Sequence, residues 1–192
     1  MRCDVGVVGE KIVELGQSLA DGFNEVDATN CFVLPGGIDS HCHIEHKSSA
    51  GIECADDFYT ATMSAAFGGT TTVIPFAAQH RGQSVQSVVD AYHASAGPKA
   101  VVDHAFYLIV TNPTPEVLEN ELPWLFNNGY TSVKVYITYD LLKLSDDKIL
   151  TVLQVARREG AMVMAHAEND EVISWLTQRL LEAGHVGPVI TP

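Results

Sequence analysis

From Gly37 onward, short apolar strands alternate with amphipathic helical stretches, five times in succession, and this constrains the chain more than any other feature. The candidate strands are Gly37-Ile38-Asp39-Ser40-His41, Thr70–Phe76, Val102–Val110, Ser132–Ile137 and Ala161–Ala165. They are rich in β-branched and apolar residues, as buried parallel strands should be. The pattern predicts a helix over Asp56–Phe67, stopped by Gly68-Gly69, and a second near Ser84–Ser95. A third starts at Thr114-Pro115, an N-cap followed by proline at the first helical position. It runs towards Gly129 with a kink at Pro123. A fourth is capped by Ser145 and ends at Arg157-Arg158-Glu159 before Gly160, with basic residues in its last turn. The fifth spans Asp170–Ala183, with Val172, Ile173, Trp175, Leu176, Leu180 and Leu181 on one side. Serial βα units imply a parallel sheet with right-handed crossovers. Such a sheet is either doubly wound or part of a (β/α)8 barrel. A whole barrel takes about 250 residues, so 192 residues suffice for only part of one.

The first 30 residues differ. Val5–Val8, Gly9-Glu10 and Lys11–Leu15 read as strand, tight turn and strand. Cys31-Phe32-Val33-Leu34 reads as a further short strand, stopped by Pro35-Gly36-Gly37. This is too little antiparallel structure to fold alone.

Charge removes several function classes. The 24 acidic residues outnumber the 11 basic ones, for a net charge of −13. A nucleic-acid partner needs a basic footprint, and none is present. There is no polybasic membrane-surface segment and no apolar run of spanning length. The N-terminus has no apolar signal region. Cys3, Cys31, Cys42 and Cys54 include no CxxC pair, so reduced thiols in a cytoplasmic protein are expected. GxGxxG and GxSxG motifs are missing, and Gly68-Gly69-Thr70 follows a helix and precedes a strand, the reverse of a phosphate loop.

Three constellations carry chemistry. His41-Cys42-His43 places two imidazoles on one side of a strand end and Cys42 on the other, and neutral imidazoles on one face can chelate a divalent ion. The spacing alone leaves chelation and packing both open. His166 follows the apolar strand Met162–Ala165, again at a strand's C-terminal end, where a structural histidine is the default reading. Lys134 stands inside the apolar run Ser132–Ile137. It fits an edge strand in water, a buried ion pair, or an amine desolvated enough to be neutral and reactive. His46, His80, His93, His104 and His185 lack partners at metal spacing and read as surface or packing residues; His80 alone stands where it could approach a pocket from the second strand's end.

Pro35-Gly36-Gly37-Ile38-Asp39-Ser40-His41-Cys42-His43 resembles the opening metal motif of the amidohydrolase superfamily. Gly68-Gly69-Thr70-Thr71-Thr72, Lys134-Val135-Tyr136 with Tyr139, and His166-Ala167-Glu168-Asn169 follow in the family's order and spacing. Together they are similar to the cyclic amidases of the hydantoinase/dihydropyrimidinase branch, from about Val5 to Gly187.

The resemblance implies an α/β fold: a partial (β/α)8 TIM barrel of about five βα units over residues 35–192, preceded by a remnant of an N-terminal β-sandwich over residues 1–34. It implies two divalent metal ions, with zinc the expected one. His41 and His43 would bind one, His166 the second, and an N-carboxylated Lys134 would bridge both. Tyr139 would donate a hydrogen bond to the oxyanion, Asp39 would support the strand end, and the loops His46–Asp56 and Tyr136–Ser145 would wall the pocket. The substrate class implied is a small cyclic amide, opened to an N-carbamoyl amino acid, and the implied assembly is a homo-dimer or tetramer. Glu45 stands where dihydroorotases carry an arginine for a substrate carboxylate. A carboxylate there favours neutral rings, hydantoins or dihydropyrimidines, with allantoinase still open.

The sequence also departs from the family. A member needs a further histidine ligand and a catalytic aspartate from later strands, and after His166 only His185 remains. The expectation is therefore the N-terminal portion of a longer enzyme. A natural truncation completed by association and a non-catalytic binding or scaffolding relative are the other two readings. The retained His41, His43, Lys134 and His166 argue against the last.

Overall fold

The computed structural model describes residues 2–48 and 51–187. Ser49, Ala50 and the terminal run 188–192 lie outside the described residues. The chain divides into two compact units, Met1–Pro35 and Gly36–Pro192.

In the first unit, β1 (Asp4–Val8) and β2 (Lys11–Gly16) pair antiparallel around Gly9, which has a φ of 62°. The strand expected over Cys31–Leu34 does not form. A strand needs a neighbour to satisfy its backbone groups. Among the described residues of this unit none pairs with it, and Phe32 is 92% exposed.

The second unit follows the alternation. Its strands are β3 (Gly37–Cys42), β4 (Thr70–Ala78), β5 (Asp103–His104), β6 (Tyr107–Ile109), β7 (Ser132–Tyr136) and β8 (Met162–His166). They pair parallel in the order β3-β4-β6-β7-β8, with β5 as a short extra pair on β4. An order that never reverses is that of a barrel wall, not of a doubly wound sheet. The sheet curls into half of a (β/α)8 barrel. Gly36 shows how closely β3 approaches β4: a Cβ there would overlap the side chain of Thr71, which its branched Cβ leaves unable to yield.

The helices are α1 (Phe58–Phe67), α2 (Val85–Ala96), α3 (Leu122–Asn127), α4 (Asp146–Glu159) and α5 (Asp170–Glu182). Asp57 opens α1 with a reciprocal capping box to Thr60, and left-handed Gly160 ends α4. The kink expected at Pro123 takes the form of a π-helical segment, Val117–Glu121, leading into α3. Proline lacks an N–H and crowds the preceding turn, and a wider turn absorbs both defects. The strand expected over Val102–Val110 is broken into β5 and β6. Ala105 donates its N–H to the Val73 carbonyl while Phe106 buries its ring on the helix side.

Strand alternation produces two layers. Val73, Ala77, Leu108, Val133 and Val135 face the helices, meeting Val85, Val89, Leu122, Leu125 and Val152. Phe76, Ala78, Ile109 and Tyr136 face the barrel interior, with Met164 packed against them. The apolar side expected of α5 is narrower than its sequence suggests. Only Ile173, Leu176 and Leu180 are half-buried, while Val172, Trp175 and Leu181 are exposed. No helix among the described residues is long and apolar enough to cross a membrane.

Candidate active site

The chemistry-bearing residues gather at the C-terminal edge of the parallel sheet, on its inner face. At the end of β3, Cys42 turns towards the helix-side core while His41 and His43 face the interior, their ring centroids 6.0 Å apart. Asp39 accepts the His41 backbone N–H at 3.0 Å, bracing the strand end. Both imidazoles lie against Phe76, at 4.9 and 5.2 Å between centroids. The His43 ring is pushed down to a pKa of about 4, by desolvation first and then by His46, Lys134 and His41. At neutral pH it is therefore the free base, the form that binds a metal.

Lys134 occupies the middle of β7, between β6 and β8, and is only 5% exposed. That removes the edge-strand reading. No carboxylate among the described residues lies within ion-pair distance of it, which removes the second. Its Nζ lies 4.4 Å above the Phe76 ring, 5.1 Å from that of Tyr136 and 3.3 Å from Nε2 of His41. Desolvation lowers its pKa. An amine so placed has a larger neutral fraction than a surface lysine.

His166 closes β8 directly opposite Tyr136, and the two rings stack at 5.4 Å. Glu168 holds its Nε2 at 2.7 Å, which leaves Nδ1 available. Tyr139 stands 5.1 Å from His166, ring to ring, and is 50% exposed. Its φ is 70°, a left-handed conformation that costs a bulky side chain about 1–2 kcal/mol. In the second unit only Glu45 and Tyr139 hold a positive φ among described non-glycine residues, and both border this edge. Such strain concentrates at functional sites.

The structure thus brings together two adjoining groups, His41–His43–Lys134 over Phe76 and His166–Tyr139 beside Tyr136. Lys134, near both aromatic rings, is the link. Among the described residues, no three His, Cys, Asp or Glu side chains converge closely enough to hold a metal by themselves. The donor set nevertheless suits divalent ions, because the paired imidazoles of His41 and His43 lie beside a buried amine that has no carboxylate partner.

Two further residues border the site. The Glu45 carboxylate is taken up by the protein's own donors. Its carboxylate accepts both contacts of Lys99 at 2.8 Å, the Ser95 hydroxyl at 2.7 Å and the Phe58 backbone N–H at 3.2 Å. It ties the loop after β3 to the start of α1 and the end of α2. His46, read from its spacing as a surface or packing residue, is half-buried with its ring 5.3 Å from that of His43 and its Nδ1 3.5 Å from the Tyr92 hydroxyl. Burial first and then the nearby charge of His80 lower its pKa. Position just beyond the His-x-His pair was the signal available for His46. His93 and His104 pack around Phe106, and the Tyr130 hydroxyl meets His93 Nε2 at 2.7 Å, so these are packing residues. The loop His46–Asp56 is drawn in by the Cys54 N–H to the His46 carbonyl and by Lys47–Glu53 at 3.0 Å; its residues Ser49 and Ala50 lie outside the described residues.

The sequence pattern of the amidohydrolase family matches residues 32–186. The D-hydantoinase of Geobacillus stearothermophilus is 40% identical over 191 residues, covering 98% of this chain and 40% of that protein. A solved D-hydantoinase from Bacillus sp. AR9 superposes with a TM-score of 0.91 at 39% identity, covering 98% of this chain and 41% of that one. The dihydropyrimidinase of Brevibacillus agri does so at 0.90 and 38%, with coverage of 98% and 41%. The chain spans about two fifths of the length of the curated relatives it matches.

Proposed function

The chain belongs to the amidohydrolase family, and on that premise we propose that it serves the hydrolytic opening of a neutral cyclic amide, a hydantoin or dihydropyrimidine, to an N-carbamoyl amino acid. The observation that carries this reading is Lys134: a buried amine with no carboxylate partner, 3.3 Å from His41 at the working edge of a barrel wall. The names of the similar hydantoinases and the dihydropyrimidinase support the substrate class. Residues 1–35 fit the β-sandwich part of such an enzyme, and the remainder fits the first part of its barrel.

In this reading His41 and His43 would hold one divalent ion and His166 a second, with Lys134, as a carbamate, completing the donor set. Divalent ions, when bound, supply Lewis acidity and lower the pKa of water. The carbamate forms when the neutral amine adds to CO2: an N–C bond is made and a proton is released. Burial that raises the neutral fraction favours that addition, and two oxygens then replace a lone nitrogen.

The remaining residues act on the ring. Phe76 and Tyr136 line the site with aromatic surface beside Lys134, which lowers the local polarity and strengthens polar contacts made against it. The Tyr139 phenol donates a hydrogen bond to the carbonyl oxygen as negative charge develops there, a contribution of about 3 kcal/mol for one well-placed donor. The amide C–N bond breaks, the carbonyl carbon keeps the hydroxyl of water, and the ring nitrogen takes the proton.

The test combines elemental analysis, turnover of hydantoin and dihydrouracil, and carbon-13 NMR after incubation with labelled bicarbonate. Bound divalent ions, ring opening and a carbamate signal are expected, all lost in Lys134→Ala. Equal metal content and equal turnover in that variant would overturn the carbamate and the role of Lys134 together.

A further inference from the structure

Asp170 is the first residue of α5, four positions beyond His166, and an acid there is ordinarily explained by the helix dipole. Its carboxylate is committed elsewhere. Oδ1 accepts the Thr138 hydroxyl at 2.9 Å, and Oδ2 accepts the Lys143 ammonium at 2.6 Å. Thr138 and Lys143 stand at the two ends of the turn that carries Tyr139. Inside that turn, the Tyr139 carbonyl accepts the backbone N–H groups of Leu142 and Lys143, both at 2.8 Å. Lys143 also reaches Asp140 at 2.9 Å. The turn is therefore closed upon itself and anchored at both ends to the segment that follows His166.

The anchor matters because of the conformation it restrains. Tyr139 holds a φ of 70° with its ring 5.1 Å from His166. A tyrosine released from such a restraint relaxes towards negative φ, and its ring swings with it. Charge-assisted hydrogen bonds are the stronger kind, suited to holding a strained turn.

We propose that Asp170 is a positioning residue: by binding Thr138 and Lys143 together it holds the Tyr139 phenol against His166 and sets where the oxyanion donor stands. The catalytic half of this rests on the donor role given to Tyr139 above. The geometric half does not.

The experiment reads both halves, on the whole chain. In Asp170→Ala the nuclear Overhauser contact between the Tyr139 and His166 rings should disappear, and the Leu142 and Lys143 amides should exchange faster. With hydantoin as substrate, kcat should fall by about ten- to a hundredfold, the scale of a misplaced catalytic group, while KM and metal content hold. In a Tyr139→Phe background the same substitution should cause no further loss. Asp170→Asn, which keeps an acceptor for Thr138, should recover part of the rate. An unchanged ring contact and unchanged exchange would overturn the proposal, as would an equal kcat loss in both backgrounds. Should Asp170→Ala fail to fold, Thr138→Val and Lys143→Gln remove the same bonds from the turn's side and should abolish the same contact. A chain that opens neither hydantoin nor dihydrouracil would count against the proposed function alone, because ring contact and exchange would still decide whether Asp170 holds Tyr139.

Discussion

The Nζ of Lys134 stands 3.3 Å from Nε2 of His41, although the two residues are 93 positions apart in sequence. Their strands are not neighbours: β4 and β6 lie between β3 and β7. In a flat sheet, three steps of about 4.8 Å would hold the two backbones some 14 Å apart. Only a curled sheet with both side chains pointing inward closes that distance, over the ring of Phe76. The contact is thus a property of the barrel wall, and it is what makes a lysine in an apolar strand chemically useful.

A buried amine without a carboxylate is unfavourable until something binds it. Lys134→Met should therefore stabilise the metal-free chain by about 1–3 kcal/mol, seen as a higher urea midpoint, while abolishing divalent-ion binding. A less stable Lys134→Met would mean that the amine has a stabilising partner.

Glu168 reaches Nε2 of His166 at 2.7 Å, fixing the ring and its tautomer. Loss of such a support commonly weakens metal binding by about 10- to 100-fold. Glu168→Gln should show that loss for zinc in competition titrations, with the fold unchanged by circular dichroism. Unaltered affinity would mean that the contact is incidental.

Glu45 should behave as a structural tie rather than a substrate filter. Glu45→Ala should cost about 1–2 kcal/mol in denaturant unfolding, the range for hydrogen bonds to a charged group discounted for partial exposure. Selectivity between neutral and anionic rings should not change. Burial opposes ionisation of Glu45, but Lys99, Ser95 and the Phe58 N–H outweigh it and hold the carboxyl below its ordinary 4.5. The folded-state pKa is depressed, so the tie is fully present above about pH 4.5 and is lost as pH falls through the lower folded value. A wild-type stability advantage over Glu45→Gln that shrinks below pH 4.5 is the expected signature.

Cys42 should be the slow thiol. Burial first and Asp39 second raise its pKa to about 11, and its side chain lies in the helix-side core. Iodoacetamide at neutral pH should label the exposed Cys31 and Cys54 well before Cys42, as read by peptide mass. Prompt labelling of Cys42 would mean that the end of β3 opens readily.

The helices and strands of the second unit were legible because each repeats a local pattern. Asp57, Ser84 and Asn169 cap their helices, and Gly160 stops α4, within a residue or two of the expected ends. Alternation also placed Cys42 opposite His41 and His43. What failed was whatever depends on a neighbour. Cys31–Leu34 has a strand's composition but, among the described residues of its unit, no partner, and Glu45, expected to bear on substrate charge, binds Lys99. The contact of His46 with His43 was likewise not readable from spacing.

Residue order alone therefore determined the βα alternation, the parallel sheet and the identity of the polar residues at its strand ends, because hydrophobic period and capping act over a few residues. Tertiary structure alone decided that Lys134 is buried without a carboxylate, that it meets His41, and that Asp170 ties down the turn of Tyr139. Those facts depend on sheet curvature and on contacts between residues distant in sequence, which no local pattern encodes.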